Sequence, residues 1–85
     1  MNKRREIEIT YQRGYRQFQS GKISHAAINY KRLLTIDSHD FRAYLDLADL
    51  SLDQRDYSRA ERLFKRAIMM NPNSIDAYFN FGIYL

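Results

Sequence analysis

Asp46, Asp49 and Asp53 recur at intervals of three and four, so on a helix they share one face. A row of carboxylates can hold a cation or supply a general acid or base. A cation site needs more carboxylates converging from other segments, and the sequence brings none to this row. It reads as a solvated acidic stripe. The only histidines, His25 and His39, stand near the openings of different helices and read as polar residues near caps. There is no glycine-rich phosphate loop, since the three glycines fall on packing or turn positions. Without cysteine there is neither a disulfide framework nor a thiolate metal site. No activated nucleophile or acid–base pair can be assembled. The expectation is a protein that is not an enzyme, with no catalytic residues, no metal and no cofactor.

Five helices must position these residues. The first is expected over about 5–19, with Gly21 at a C-terminal position suited to left-handed backbone. The second spans about 24–36, with Ser24 as N-cap. The third spans about 41–53. The fourth opens on a capping box, Ser58-x-x-Glu61, and ends before Pro72, which cannot continue it. The fifth runs from about Ser74 to Leu85. No period-2 run of β-branched residues predicts a strand.

These helices repeat. Gly14 and Gly82 stand 68 residues apart, twice 34, with Ala48 midway. Ala26 and Ala60 are 34 apart, as are Tyr30 and Phe64, and Tyr44 and Tyr78. Such a period in a helix-rich chain is the signature of stacked helical hairpins. The middle unit reads Tyr44-x2-Leu47-Ala48-x2-Ser51, then Ala60-x3-Phe64, then Pro72. The first reads Thr10-x2-Arg13-Gly14-x2-Gln17, then Ala26-x3-Tyr30, with Ser38 in place of Pro. The third has Tyr78-x2-Phe81-Gly82-x2-Leu85. Over residues 7–85 this resembles the tetratricopeptide repeat, W-x2-L-G-x2-Y, A-x3-F, P. The implied fold is all-α: a right-handed solenoid of antiparallel helical hairpins. A basic tail (1–6), repeat 1 (7–40), repeat 2 (41–74) and the first helix of an incomplete repeat 3 (75–85) are expected. Small residues at Gly14, Ala48 and Gly82 let paired helices approach closely, whereas Leu33 is bulky at the phase of Ala67.

The resemblance implies that the first helix of each hairpin lines a concave groove holding peptide ligands. In that groove fall Tyr11, Tyr15, Phe18, Leu45, Leu52, Phe79 and Ile83, with Asp46, Asp49, Asp53, Asp76 and Asn80. Its ligand should carry apolar anchors with Lys or Arg between them. Some members of the family hold acidic chaperone tails with a Lys/Asn/Arg clamp. Here Tyr11, Tyr15, Asp46, Asp76 and Asn80 stand at those positions, so such a tail is not expected to bind.

Composition bounds the rest. The chain has 85 residues and is 45% hydrophobic, enough for one small packed domain. No apolar run approaches the ~20 residues of a membrane span, and Glu6 and Glu8 break a signal-peptide reading of the basic start. A cytoplasmic adaptor is the default expectation. The net charge of +4 is uneven: residues 1–36 carry +6 and residues 37–85 carry −2. This leaves RNA or ribosome association through the basic N-terminal hairpin as an alternative. The fifth helix is apolar on nearly all sides, and Phe81, Tyr84 and Leu85 are expected to face a missing helix. A structural segment of a longer solenoid, or self-association through this end, is therefore a further alternative.

Overall fold

The computed structural model describes residues 2–84, and side chains as far as Gly82. Five helices follow one another: α1 Lys3–Gln19, α2 Ile23–Ile36, α3 Phe41–Asp53, α4 Tyr57–Met70 and α5 Ile75–Tyr84. Among the described residues there is no strand. The solenoid is built from two antiparallel hairpins, α1–α2 and α3–α4, with α5 packed on α4 and α3. Residues 3–6, expected to form a basic tail, instead open α1, because the Asn2 side chain accepts a hydrogen bond from the Arg4 N–H and caps the helix ahead of them.

The two hairpin turns share one design. The Lys22 N–H donates to the Gln17 carbonyl and the Gly21 N–H to Phe18. One repeat later, Asp56 donates to Ser51 and Arg55 to Leu52. Each turn needs one residue in left-handed backbone: Gly21 at φ 79° and Arg55 at φ 59°. Glycine takes this conformation freely, whereas arginine does so against its own Cβ.

Those turns move two helix starts. Asp56, not Ser58, caps α4, its carboxylate accepting from the Arg59 N–H at 3.3 Å. It comes directly after the left-handed residue, so the helix begins at Tyr57 and Ser58 lies inside it. The same phase in the first hairpin holds Lys22, which has no oxygen to offer, and α2 begins at Ile23 without a side-chain cap. Ser24 is likewise interior. Asp40 caps α3 by accepting from Ala43 at 3.2 Å, and Ser74 does the same for α5 toward Ala77, also at 3.2 Å.

Packing follows the repeat. Ala26, Tyr30 and Leu33 of α2 are fully buried against Ala43, Leu47 and Leu50 of α3. Ala48, Ala60 and Phe64 form a second cluster between α3 and α4, and Leu63 packs against both. Burying Phe64 or Leu33 contributes about 1.5–3 kcal/mol each. The bulk of Leu33 is absorbed at the junction of the hairpins, where it meets α3. Gly14 permits close approach as expected: a Cβ there would lie 3.1 Å from Tyr30 Cε1 and 3.3 Å from Asn29 Cβ. At Gly82 a Cβ would meet nothing within 4 Å, and the helix with which it would pair is not among the described residues. The first helices, α1, α3 and α5, are tied along one side of the solenoid, and α2 and α4 form the other layer.

Candidate functional site

Side chains of the first helices join into one continuous surface. The Tyr11 hydroxyl of α1 donates to Asp46 Oδ2 of α3 at 3.1 Å. The Asn80 amide of α5 donates to both oxygens of Asp49 at 3.3 and 3.4 Å. Arg42 of α3 pairs with Glu8 of α1 at 2.8 Å and with Asp40 at 3.2 Å. Its guanidinium also lies over the Tyr11 ring, 4.1 Å from the centroid, close enough for a cation–π contact.

These contacts divide the expected groove residues into wall and free surface. Tyr11 is half-buried beneath Arg42, stacked on Tyr15 at 6.0 Å and tilted against Tyr30 at 5.9 Å. Phe18 packs against the first core cluster, and Leu45 and Leu52 pack against the second. All three are half-buried and fill the spaces between helices. Tyr15 and Phe79 remain open, at 39% and 64% exposure. Asp53 and Asp76 are exposed, while Asp46, Asp49 and Asn80 are half-buried. The side chain of Ile83 lies outside the described residues, as do that of Tyr84 and all of Leu85. Phe81 is half-buried and stacks on Phe64 of α4 at 5.8 Å, so its ring takes part in the α4–α5 contact.

The acidic character of the surface is held against a cost. Burial pushes the Asp49 carboxyl up to about 6, and the neighbouring charges of Asp46 and Asp53 add to the shift, while the Asn80 hydrogen bond opposes it. Burial also raises Asp46, opposed by Tyr30, Tyr11 and Arg42. Burial and the Asp46 charge raise both the Tyr11 and the Tyr30 phenols, so neither ionises near neutral pH. Burial disfavours the Arg42 charge, but its hydrogen bonds to Glu8 and Asp40 outweigh this and hold it firmly protonated. Among the described residues, no Lys or Arg forms an ion pair with Asp46, Asp49, Asp53 or Asp76. Nor do any three His, Cys, Asp or Glu side chains converge to hold a metal.

Sequence reasoning placed Arg42 and Glu8 at groove positions without foreseeing that they pair, and it missed the part played by Tyr30. Arg42 is the bracket between the hairpins, and its signal was present: Glu8 and Arg42 occupy the same phase of adjacent repeats with opposite charge. Tyr30 was read only as packing. Its hydroxyl approaches Asp46 and helps to keep it charged, yet the oxygen is fully buried without a hydrogen bond of good geometry. No local pattern announces that. A hydrogen bond from the Asn29 amide to Gln17 at 2.6 Å, inside the first hairpin, was also not foreseen.

No helix among the described residues is long and apolar enough to cross a membrane. In comparisons with known proteins, the chain is 31% identical over 70 residues to cellulose synthase operon protein C of Komagataeibacter sucrofermentans. It is 31% identical to cellulose synthase 1 operon protein C of Komagataeibacter xylinus, and 30% identical to a further protein C of that species. Each match covers 82% of this chain but only 5% of the relative's length. Residues 17–81 match the family model described as tetratricopeptide repeat. With its period of 34, its paired hairpins and this match, the chain belongs to the tetratricopeptide-repeat family, a non-enzymatic helical scaffold that generally mediates protein–protein interaction.

Proposed function

We propose that the surface along α1, α3 and α5 binds a peptide or partner helix that carries apolar anchors with Lys or Arg between them. One observation carries this reading. Half-buried Asp49, held by the Asn80 amide at 3.3 Å, shares its helix face with Asp46 and Asp53 and has no Lys or Arg paired with it among the described residues, while Tyr15 of α1 and Phe79 of α5 stay exposed on the same layer. A ligand ammonium or guanidinium placed there relieves the repulsion among these carboxylates, and its apolar side chains cover the rings. Complementarity of this kind sets specificity and on-rate more than raw affinity.

The test is fluorescence anisotropy with a labelled peptide that places Leu or Phe at helical spacing and Lys between. Saturable binding is expected, weakened at least about fivefold by Asp49→Asn with Asp53→Asn, the range of one or two partly screened charge pairs. Affinity should rise from pH 5 to pH 7, because the cationic ligand favours the ionised carboxyl. Absence of binding, or affinity indifferent to both changes, refutes the reading. A steep loss of affinity for single-stranded RNA with salt would favour the basic N-terminal hairpin instead.

A second reading rests on the exposed apolar side chains where α4 leads into α5. Met69 is 77% exposed, Ile75 81% and Tyr78 50%. In this reading the face packs on a second copy or on a further helix of a longer array. Light scattering over a wide concentration range decides: a dimer dissolved by Ile75→Glu with Tyr78→Glu supports it, and a monomer throughout removes the second-copy form.

A further inference from the structure

The other layer carries a charged surface of opposite sign. Arg59, Arg62 and Arg66 sit at i, i+3 and i+7 on α4, so they form one row. With Tyr44 and Leu63 they line a cavity of about 360 Å³. A neighbouring cavity of about 330 Å³ joins Arg59 to Lys31 and to Ile28, which is 64% exposed. Among the described residues none of these four cations is ion-paired with an acid. The one acid on α4, Glu61, is already paired with Lys65 at 3.1 Å. Arg66 lies over the Tyr44 ring at 5.6 Å, and the Tyr44 hydroxyl donates to the Ser38 carbonyl at 3.0 Å. Tyr44, which lines the cavity, is thus held at its hydroxyl and faced by Arg66 at its ring.

We propose that this arginine row docks an acidic amphipathic segment of a partner protein, with Glu or Asp facing the row and an apolar side chain over Leu63 and Ile28. Guanidinium groups fork onto carboxylates in a planar, two-bond geometry that lysines do not reproduce. From Arg59 to Arg66 the row runs about 10 Å along the helix axis, which matches carboxylates at i, i+3 and i+7 on a facing helix. A nucleic acid fits less well. The row spans too short a length to follow a backbone, and the one aromatic ring at hand is already covered by Arg66 and tied through its hydroxyl. The proposal is independent of the groove reading. If both hold, the module accepts a basic segment on one layer and an acidic one on the other.

The experiment uses the full chain and a labelled helical peptide with Glu at i, i+3 and i+7 and Leu between, at about 0.1 M salt. Saturable binding is expected. Arg62→Glu with Arg66→Glu should weaken it at least about tenfold, equivalent to losing a pair of charge-assisted contacts. Glu6→Gln, in the first turn of α1, should leave it unchanged within about twofold. If the reversed-charge variant loses its helical circular dichroism, Arg62→Gln with Arg66→Gln serves in its place. The proposal is overturned by lack of binding at millimolar peptide. It is equally overturned if Arg13→Glu with Arg16→Glu on α1 costs as much, since net charge would then be the whole effect. Tighter binding of a short oligouridylate, lost in the same arginine variants, would assign the surface to nucleic acid instead. A dimer that dissociates in those variants would make the occupant a second copy.

Discussion

Replacing Asp49 by Asn should stabilise the protein at neutral pH and flatten the pH dependence of its stability. The folded carboxyl sits at about 6, against about 3.9 in an unfolded chain. Between these values the folded state binds more protons than the unfolded one, so stability falls as pH rises. The favourable contribution of the protonated form is fully present below about pH 4 and is lost as pH rises through about 6. Two units correspond to about 3 kcal/mol at most. Asp49 is only half-buried, and solvent screening reduces this to about 1–2 kcal/mol. Asparagine keeps the shape and can still accept from the Asn80 amide, so the comparison isolates the charge.

The assay is urea or thermal unfolding of both proteins between pH 4 and pH 7.5. For a domain of this size, 1–2 kcal/mol moves Tm by about 5–10 °C. The Asn variant should melt higher at pH 7 and differ little from the parent at pH 4. Some slope should remain, because Asp46 is raised for the same reason and with the same sign. An Asn variant less stable at pH 7, or one with the parent's full slope between pH 4 and 6, refutes the account.

Three further outcomes are expected. Arg55→Gly relieves a left-handed arginine at φ 59° and should raise stability by about 0.5–1 kcal/mol despite the greater freedom of unfolded glycine, measured by urea denaturation. Gly14→Val forces two methyl groups toward the fully buried Tyr30 ring, 3.1 Å from where even a Cβ would stand; a loss of about 2–3 kcal/mol is expected, visible in the same assay. Tyr30→Phe removes a buried hydroxyl that approaches Asp46 without a hydrogen bond of good geometry; it should raise the Asp46 pKa, as followed by NMR titration, and cost no more than about 1 kcal/mol at pH 7.

The fold was legible because it rests on spacing. Ala26 and Ala60, Tyr30 and Phe64, and Gly14 and Ala48 occupy equivalent positions, and close packing admits few other sizes there. Helix starts were less legible, because a cap depends on which residue the preceding turn leaves at the right angle. Ser58 and Glu61 have the composition of a capping box, yet the left-handed Arg55 brings Asp56 into position first. The site was half legible. The acidic row is visible at intervals of three and four, but its surroundings are not. That Phe18, Leu45 and Leu52 turn partly into the core, and that Phe81 meets Phe64, depends on how far α1 and α5 lean on α3, which no local pattern encodes.

The cost at Asp49 links folding to binding. A carboxyl raised to about 6 is paid for in stability at neutral pH, and a bound cation that lowers its pKa returns that stability to the complex. Ligand stabilisation should therefore exceed, at pH 7, what the same contacts give at pH 5, where the carboxyl is largely protonated and little repulsion remains to be relieved. Linkage makes the two effects reciprocal: whatever the ligand adds to stability by discharging Asp49, the ionisation of Asp49 adds to ligand affinity. Asp49→Asn removes both terms together. A variant that is more stable alone, yet gains less from the basic peptide, is the joint signature of a groove kept acidic for a cationic partner. Gain in stability without loss of peptide response would mean that the repulsion belongs to packing alone.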